Sequence, residues 1–135
     1  MSQTVLVVDD DEMVAEVVRV NLAADGFEVL HAPNGEAALA AVAEHRPDLV
    51  VLDVLMPEMD GWTVLSRLRD DPQSAALPVI MLTAKTMPAD QVRGYNLGAD
   101  GYVTKPFSAD ELMAKVHEIL SGTEGQSSKS GPIST

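Results

Sequence analysis

Five side chains at the ends of apolar runs in this sequence could bind a phosphoryl group and a metal ion. Asp9 and Asp10 follow one such run, Asp53 follows a second, Thr83 ends a third, and Lys105 follows a fourth. A carboxylate can act as a nucleophile towards phosphorus, and a hydroxyl and an ammonium can stabilise phosphoryl oxygens. Clustered carboxylates repel one another unless a cation lies between them, and Mg²⁺ prefers oxygen ligands of this kind. These residue types therefore suit the Mg²⁺-dependent transfer of a phosphoryl group onto the carboxylate of Asp53.

The segments that would position these side chains alternate between short apolar runs and longer amphipathic stretches. β-branched apolar runs predict five strands, over residues 4–8, 27–32, 48–52, 78–83 and 101–104. Helical spacing of apolar residues predicts five helices, over residues 12–24, 34–45, 61–69, 88–97 and 108–120. This alternation predicts an α/β fold, with a doubly wound five-stranded parallel sheet covered by helices on both faces. Parallel strands end at one edge, where such sheets bind ligands, so the five side chains should converge.

Each of these side chains also has a purely structural explanation. The acidic run from Asp9 to Glu12 would place favourable charge at a helix N-terminus. Lys105 could be a surface lysine, and Thr83 is an ordinary strand residue. Asp53 is harder to explain in this way, because an aspartate at the end of a very apolar strand is costly unless it is paired or coordinated. Its position therefore favours the chemical interpretation.

The composition is that of one globular domain without disulfides. The chain has 135 residues, of which 46% are hydrophobic and 22% charged, and it contains no cysteine. No apolar run approaches the ~20 residues that span a bilayer, and the N-terminus has no signal-peptide pattern, so we expect a cytoplasmic protein. Residues 1–121 carry the periodic pattern, whereas residues 122–135 are rich in Ser and Gly and are predicted to form a flexible tail or linker. His31, His45 and His117 lack metal-ligand spacing and are predicted to lie at or near the surface.

The net charge of −12 limits the partners of this segment. A surface this acidic repels nucleic acid and anionic lipid, so we expect neither direct nucleic-acid binding nor membrane binding. Carboxylates gathered around a cation would explain part of the excess, and the alternative explanation is solubility alone.

Four short motifs occur in the order and spacing of a known family. They are VVDDDE at residues 7–12, DVLMPEMDG at residues 53–61, LTA at residues 82–84 and GADGYVTKPF at residues 98–107. Each motif alone is modest evidence, but the four together are highly specific. Over residues 3–121 the sequence resembles the receiver domain of two-component response regulators, a chemotaxis-type receiver fold. The resemblance implies a flavodoxin-like (βα)5 architecture with strand order 2-1-3-4-5.

The resemblance also implies roles for the acidic residues. Asp53 matches the phosphoacceptor, Asp10 matches the acidic residue that binds Mg²⁺ directly, and Asp9 matches its neighbour that orients a metal-bound water. The resemblance implies that Asp53 also contacts the ion. The main-chain carbonyl of Leu55 matches the remaining protein ligand.

Three further residues match the groups that bind the phosphoryl oxygens and switch the domain. Thr83 and Lys105 match the two phosphoryl-binding side chains, and Tyr102 matches the aromatic residue that turns inward when the threonine moves. The resemblance implies a cis peptide bond between Lys105 and Pro106, which from sequence alone has a prior of only ~5%.

The partners implied by the resemblance belong to two-component signalling. The donor would be a phosphohistidine on a sensor histidine kinase or a phosphotransfer protein. The domain would catalyse only its own phosphorylation and dephosphorylation, as a switch rather than a turnover enzyme. The surface of the fourth helix, fifth strand and fifth helix would control a downstream output domain or protein. The mixed charge of this surface permits a phosphorylation-dependent homodimer without requiring one.

Two other classes of function share parts of the pattern. A receiver-like interaction module would dock partners without phosphorylation, but such a module usually lacks an acidic residue, the threonine or the lysine, and all are present here. A phosphatase of the aspartyl-phosphate type usually has a second aspartate two residues after the nucleophile, where this chain has Leu55. Leu55 also cannot hydrogen-bond an attacking water, which predicts a long-lived phosphoryl group.

Overall fold

A parallel five-stranded sheet forms the centre of the structure, a computed structural model that describes residues 3–84 and 98–129. Its strands are β1 (Thr4–Val8), β2 (Glu28–Ala32), β3 (Leu49–Asp53), β4 (Val79–Ala84) and β5 (Gly101–Lys105). They lie in the order β2-β1-β3-β4-β5, and each neighbouring pair is parallel. The predicted α/β class and strand order are therefore confirmed.

Four helices belong to the described part of the chain. They are α1 (Glu12–Ala24), α2 (Gly35–His45), α3 (Gly61–Asp70) and α4 (Ala109–Lys129). The predicted helix over residues 88–97 lies outside the described residues, so α4 corresponds to the fifth predicted helix. Within the described residues, no helix has both the length and the apolar character needed to cross a membrane.

The last helix is longer than the sequence pattern predicts. The pattern ends it at Leu120, where the apolar periodicity stops, but α4 continues to Lys129. The prediction is wrong here because a helix that has already formed can be extended without an apolar face. Each added residue gains one backbone hydrogen bond. Residues 122–129 of the predicted tail are therefore helical, and the division into a domain and a tail at residue 121 stays a prediction.

The buried apolar residues form two clusters, one on each face of the sheet. Successive strand residues point to opposite faces, so Leu6 and Val8 of β1 lie in one cluster, and Val5 and Val7 lie in the other. The first cluster includes residues of α2 and α3, and the second includes residues of α1 and α4. β1 and β3 are buried on both faces, which explains their continuous apolar sequences.

Polar side chains cap the N-termini of the four described helices. Asp11, Asn34 and Asp60 cap α1, α2 and α3 by accepting hydrogen bonds from backbone N–H groups of the first turn. Ser108 and Glu111 form a capping box at α4, in which each side chain accepts a hydrogen bond from the other residue's backbone N–H. These caps fix where the helices begin and hence how the strand ends are presented.

Candidate functional site

The carboxyl ends of four strands bring the predicted site residues together at one edge of the sheet. Asp9 follows β1, Asp53 ends β3, Thr83 lies near the end of β4, and Lys105 ends β5. Asp9, Asp53 and Thr83 are almost completely buried, with 0%, 4% and 2% of their surface exposed. Side chains as far apart in sequence as Asp9 and Lys105, which are separated by 96 positions, are thereby in direct contact.

Asp9 is held at several points. Its Oδ1 accepts a hydrogen bond from the Asp11 backbone N–H at 2.9 Å, and its Oδ2 lies 3.3 Å from Nζ of Lys105. Its backbone N–H donates to the Ala32 carbonyl at 3.3 Å, and its own carbonyl oxygen lies 3.1 Å from Nε2 of His31. A buried carboxylate restrained in this way presents a fixed acceptor to the site.

The acidic run after β1 divides into two roles. Asp11 is the N-cap of α1, and its carboxylate accepts hydrogen bonds from two backbone N–H groups of the first turn. Glu12 lies in that first turn, where negative charge is favourable. The structural explanation therefore accounts for Asp11 and Glu12, whereas Asp9 and Asp10 place carboxylate oxygens in the site.

The ammonium of Lys105 is shared between two carboxylates. Its Nζ lies 3.2 Å from Oδ1 of Asp53 and 3.3 Å from Oδ2 of Asp9. Partial burial acts to lower the pKa of Lys105, but the charges and hydrogen bonds of the two aspartates outweigh this effect and raise the pKa above its ordinary value. Lys105 is therefore a fixed positive charge within the site and not an isolated surface lysine.

Opposing effects act on the pKa of the Asp53 carboxyl group. Burial raises its pKa most, the neighbouring charge of Asp9 raises it further, and Lys105 and a hydrogen bond from the Leu55 backbone offset part of the rise. As a result, the pKa of Asp53 is raised from 3.8 to about 6. A further cation beside Asp53 would favour its charged, nucleophilic form.

Asp9, Asp10 and Asp53 form an all-oxygen cluster that fits a divalent cation. One carboxylate oxygen from each residue lies within 4.8 Å of the other two. Mg²⁺ binds oxygen ligands at about 2.1 Å, so even ligands on opposite sides of the ion are about 4.2 Å apart, and the three oxygens are near enough to share one ion after small adjustments. When all are ionised, these three carboxylates and the ammonium of Lys105 carry a net charge of −2, which a divalent ion balances. These three aspartates are therefore the residues that could hold Mg²⁺.

Thr83 and Tyr102 lie on the β4–β5 side of this cluster. The Thr83 hydroxyl lies 3.4 Å from the hydroxyl of Thr104, its partner in the register of the two strands. Tyr102 is half-buried against the apolar cluster under α2 and α3, and its hydroxyl donates to the Ala99 carbonyl at 3.5 Å. Both residues that the resemblance assigns to switching therefore occupy the same side of the site.

The loop after β3 brings backbone atoms close to Asp53. The Leu55 backbone hydrogen-bonds the Asp53 carboxylate, whereas the Leu55 side chain is 54% exposed. Gly61 begins α3 so close to β3 that a Cβ atom there would lie 2.4 Å from the Asp53 carbonyl oxygen. Any side chain at Gly61 would therefore displace the main chain that carries Asp53. At the opposite wall, the bond between Lys105 and Pro106 is cis, as the resemblance implies.

Sequence reasoning missed His31 and Thr104, two residues that contact this site. His31 is exposed, as the pattern predicts, but its ring reaches the main chain of Asp9. Thr104 faces the hydroxyl of Thr83. Only their positions could have indicated these two residues. Each lies next to the end of its strand, and that strand pairs with one that carries a residue of the site. The contacts themselves depend on strand register, which neither local sequence contains.

The chain matches the family model of the response regulator receiver domain over residues 5–117. It therefore belongs to the family of response regulator receiver domains of two-component systems. It is 44% identical to the alkaline phosphatase synthesis transcriptional regulatory protein PhoP of Bacillus subtilis (strain 168) over 124 residues, which make up 92% of this chain and 51% of that protein. The chain spans about half the length of the curated relatives it matches.

Solved receiver domains share the fold. The signal receiver domain of a signal transduction histidine kinase from Syntrophus aciditrophicus matches with a TM-score of 0.85 and 36% identity, over 99% of this chain and 98% of that chain. The receiver domain of the sensor histidine kinase PA1611 from Pseudomonas aeruginosa PAO1 matches with a TM-score of 0.82 and 25% identity, over 90% of this chain and 99% of that chain. The latter structure is described with a magnesium ion coordinated in its active-site cleft.

Proposed function

We propose that this receiver domain accepts a phosphoryl group from a phosphohistidine donor onto Asp53, in a Mg²⁺-dependent reaction. The observation that carries the proposal is the ammonium of Lys105, which lies 3.2 Å from the Asp53 carboxylate and 3.3 Å from that of Asp9. It places a fixed cation beside a nucleophilic carboxylate, at the edge where parallel sheets bind ligands. Membership of the receiver family supports this assignment.

The proposed transfer forms one bond and breaks one. An oxygen of the Asp53 carboxylate attacks phosphorus, the P–N bond of the phosphohistidine breaks, and its electron pair returns to the imidazole nitrogen. Lys105 binds one phosphoryl oxygen and the Thr83 hydroxyl donates to another, so both stabilise the charge of a loose transition state. Hydrolysis of the aspartyl phosphate by water resets the domain, which acts as a switch rather than a turnover enzyme.

Asp9, Asp10, Asp53 and the main-chain carbonyl of Leu55 are the groups proposed to hold Mg²⁺. The ion would supply positive charge to phosphoryl oxygens during transfer. Positive charge from the ion would also favour the charged, nucleophilic form of Asp53, whose pKa is raised to about 6 by burial and by the charge of Asp9. In the proposed division of roles, Asp10 would bind the ion directly and Asp9 would orient a water bound to it.

Phosphorylation of Asp53 is proposed to draw Thr83 towards the phosphoryl group and to let Tyr102 turn inward. This change would alter the surface that comprises the predicted helix over residues 88–97, β5 and α4. That surface would control a downstream output domain or protein, and it could support a homodimer that forms on phosphorylation. Relatives such as PhoP are named as transcriptional regulators. This 135-residue chain, with a net charge of −12, is proposed not to contact nucleic acid itself.

Incubation with acetyl phosphate and Mg²⁺ tests the proposal. We expect phosphate incorporation by the unmodified protein, none by Asp53→Ala, and normal incorporation by Asp70→Ala, which removes an exposed carboxylate at the end of α3. Incorporation should stop when EDTA removes the metal. Equal labelling of Asp53→Ala would place the acceptor elsewhere. If neither acetyl phosphate nor a phosphorylated histidine kinase labels the unmodified protein, the chain is a phosphorylation-independent interaction module.

The exposed side chain of Leu55 leads to a prediction about phosphoryl lifetime. A leucine beside the phosphoacceptor cannot hold the attacking water, whereas an asparagine can. Leu55→Asn should therefore speed loss of the phosphoryl group by roughly 3-fold to 10-fold, the worth of about one hydrogen bond. The decay of incorporated phosphate after removal of the donor measures this rate. Glu58→Gln, in the same loop, is the control, and an unchanged rate in Leu55→Asn would contradict the role of Leu55.

A further inference from the structure

We propose that His31 is a positioning residue for the metal site, through a hydrogen bond from its ring to the main chain of Asp9. The inference rests on the proposed function, because it assumes that Asp9 and Asp10 hold Mg²⁺. His31 lies on β2, the outer strand beside β1, and its Nε2 lies 3.1 Å from the Asp9 carbonyl oxygen. Because a carbonyl can only accept, Nε2 must carry the proton and donate it.

This contact begins where the ladder between β1 and β2 ends. The last register pair is Val8 with Ala32, and the Asp9 N–H adds one further bond to the Ala32 carbonyl. The alternation of this parallel ladder assigns the next donor to the N–H of Asn34, but Asn34 is the N-cap of α2, and no backbone hydrogen bond joins it to the Asp9 carbonyl. The His31 side chain therefore supplies a donor from β2 at the point where the backbone ladder stops.

The bond acts on the peptide unit that joins the two acidic residues. The Asp9 carbonyl and the Asp10 nitrogen belong to one planar unit, so holding the carbonyl restricts the orientation of that unit. The Asp9 side chain is already held by the Asp11 N–H and by Lys105. The contact with His31 therefore restricts the direction in which the exposed Asp10 presents its carboxylate to the cluster.

The relevant property of His31 is its N–H and not its bulk. The exposed ring borders an open hollow of about 390 Å³ that Glu12, Glu16 and Arg19 of α1 also line, so removing the ring creates no closed cavity. Glutamine carries an N–H donor the same number of bonds from Cα as Nε2 of histidine. His31→Gln can therefore restore the hydrogen bond, whereas His31→Ala cannot.

Calorimetric titration with Mg²⁺ tests the inference. We expect His31→Ala to raise the dissociation constant for Mg²⁺ by roughly 3-fold to 10-fold, the worth of about one hydrogen bond. His31→Gln should stay within about twofold of the unmodified protein, and His45→Ala, which removes an exposed histidine at the end of α2, should leave the affinity unchanged. Urea unfolding in EDTA should show that His31→Ala costs no more than about 1 kcal/mol of stability, the worth of the same hydrogen bond, whereas a solely structural role would lower stability and leave ion binding unchanged.

The possible results separate this inference from the proposed function. Unchanged affinity in His31→Ala overturns the inference, and so does an affinity in His31→Gln as weak as that in His31→Ala. Asp10→Asn serves as the reference for the site. If Asp10→Asn loses Mg²⁺ binding while His31→Ala keeps it, only the role of His31 falls. If the unmodified protein binds no Mg²⁺, or Asp10→Asn binds it normally, the proposed metal site falls and the inference falls with it.

Discussion

Asp53→Asn is expected to make the metal-free protein more stable than the unmodified protein by about 3 kcal/mol at neutral pH. The carboxylate of Asp53 is buried, and burial together with the charge of Asp9 raises its pKa from 3.8 to about 6. A shift of about two pKa units corresponds to about 3 kcal/mol of preference for the neutral form. Asparagine keeps the shape of the side chain without its charge and so removes this cost.

The gain in stability should depend on pH in one direction. Below 3.8, Asp53 is protonated in both the folded and the unfolded chain, so its charge costs nothing. As pH rises from there to about 6, the unfolded chain releases the proton first, and the folded state loses stability. Above about 6 the full cost is present. The stability gained by Asp53→Asn should therefore increase between pH 3.8 and about 6 and stay constant above that range.

Urea unfolding in EDTA, across a series of pH values, measures this difference. Asp70→Asn is the control, because its exposed carboxylate should change stability by no more than about 0.5 kcal/mol. Added Mg²⁺ should narrow the gap, since an ion that binds only the folded protein stabilises it, and Asp53→Asn retains fewer ligands. A gap that does not vary with pH would contradict the assignment of the raised pKa to Asp53.

Lys105→Met is expected to destabilise the metal-free protein by about 2–4 kcal/mol at neutral pH. Removing one partner of a fully buried ion pair costs about 3–5 kcal/mol, because the remaining charge is left uncompensated. The cost should be somewhat lower here because the Lys105 side chain is 28% exposed, although both of its aspartate partners are buried. Methionine keeps the aliphatic stem and its packing, so the loss reports the missing charge.

Lys115→Met provides the matched control for this loss. The Lys115 ammonium lies 3.2 Å from Oε1 of the exposed Glu118, and such a surface pair is worth less than about 1 kcal/mol. Urea unfolding in EDTA measures both variants. The loss in Lys105→Met should shrink as pH falls through about 6, because protonation of Asp53 removes part of the need for a counter-charge. Equal losses in the two lysine variants would show that Lys105 does not balance the buried aspartates.

The sequence predicted the arrangement of the strands better than the contacts between them. Continuous β-branched runs identified β1 and β3 because a strand buried on both faces has no polar positions to interrupt it. The strand ends then placed Asp53 and Lys105 at the correct edge. The contact between Thr83 and Thr104 was not predictable, because it depends on the register of two strands, and a shift of one residue would turn one hydroxyl to the other face.

The start and end of helices set a second limit on sequence prediction. Four consecutive acidic residues follow β1, and their types alone do not show which of them caps α1. Only the position of the first helical turn separates Asp11, the cap, from Asp9, which turns into the site. The end of α4 was missed for a related reason, since apolar periodicity reports packing, and a helix can extend beyond the residues that pack.

The two walls of the site differ in stiffness. On the β3 side, the Gly61 N–H donates to the Val54 carbonyl at 2.8 Å, and main chain lies against main chain with no room for a Cβ atom. On the β4–β5 side, the hydroxyl groups of Thr83 and Thr104 are 3.4 Å apart, which is a weak contact. If Asp53 is phosphorylated as proposed, a displacement that begins there would meet more resistance at the first wall than at the second. The close packing at Gly61 would then direct the displacement towards β4 and β5.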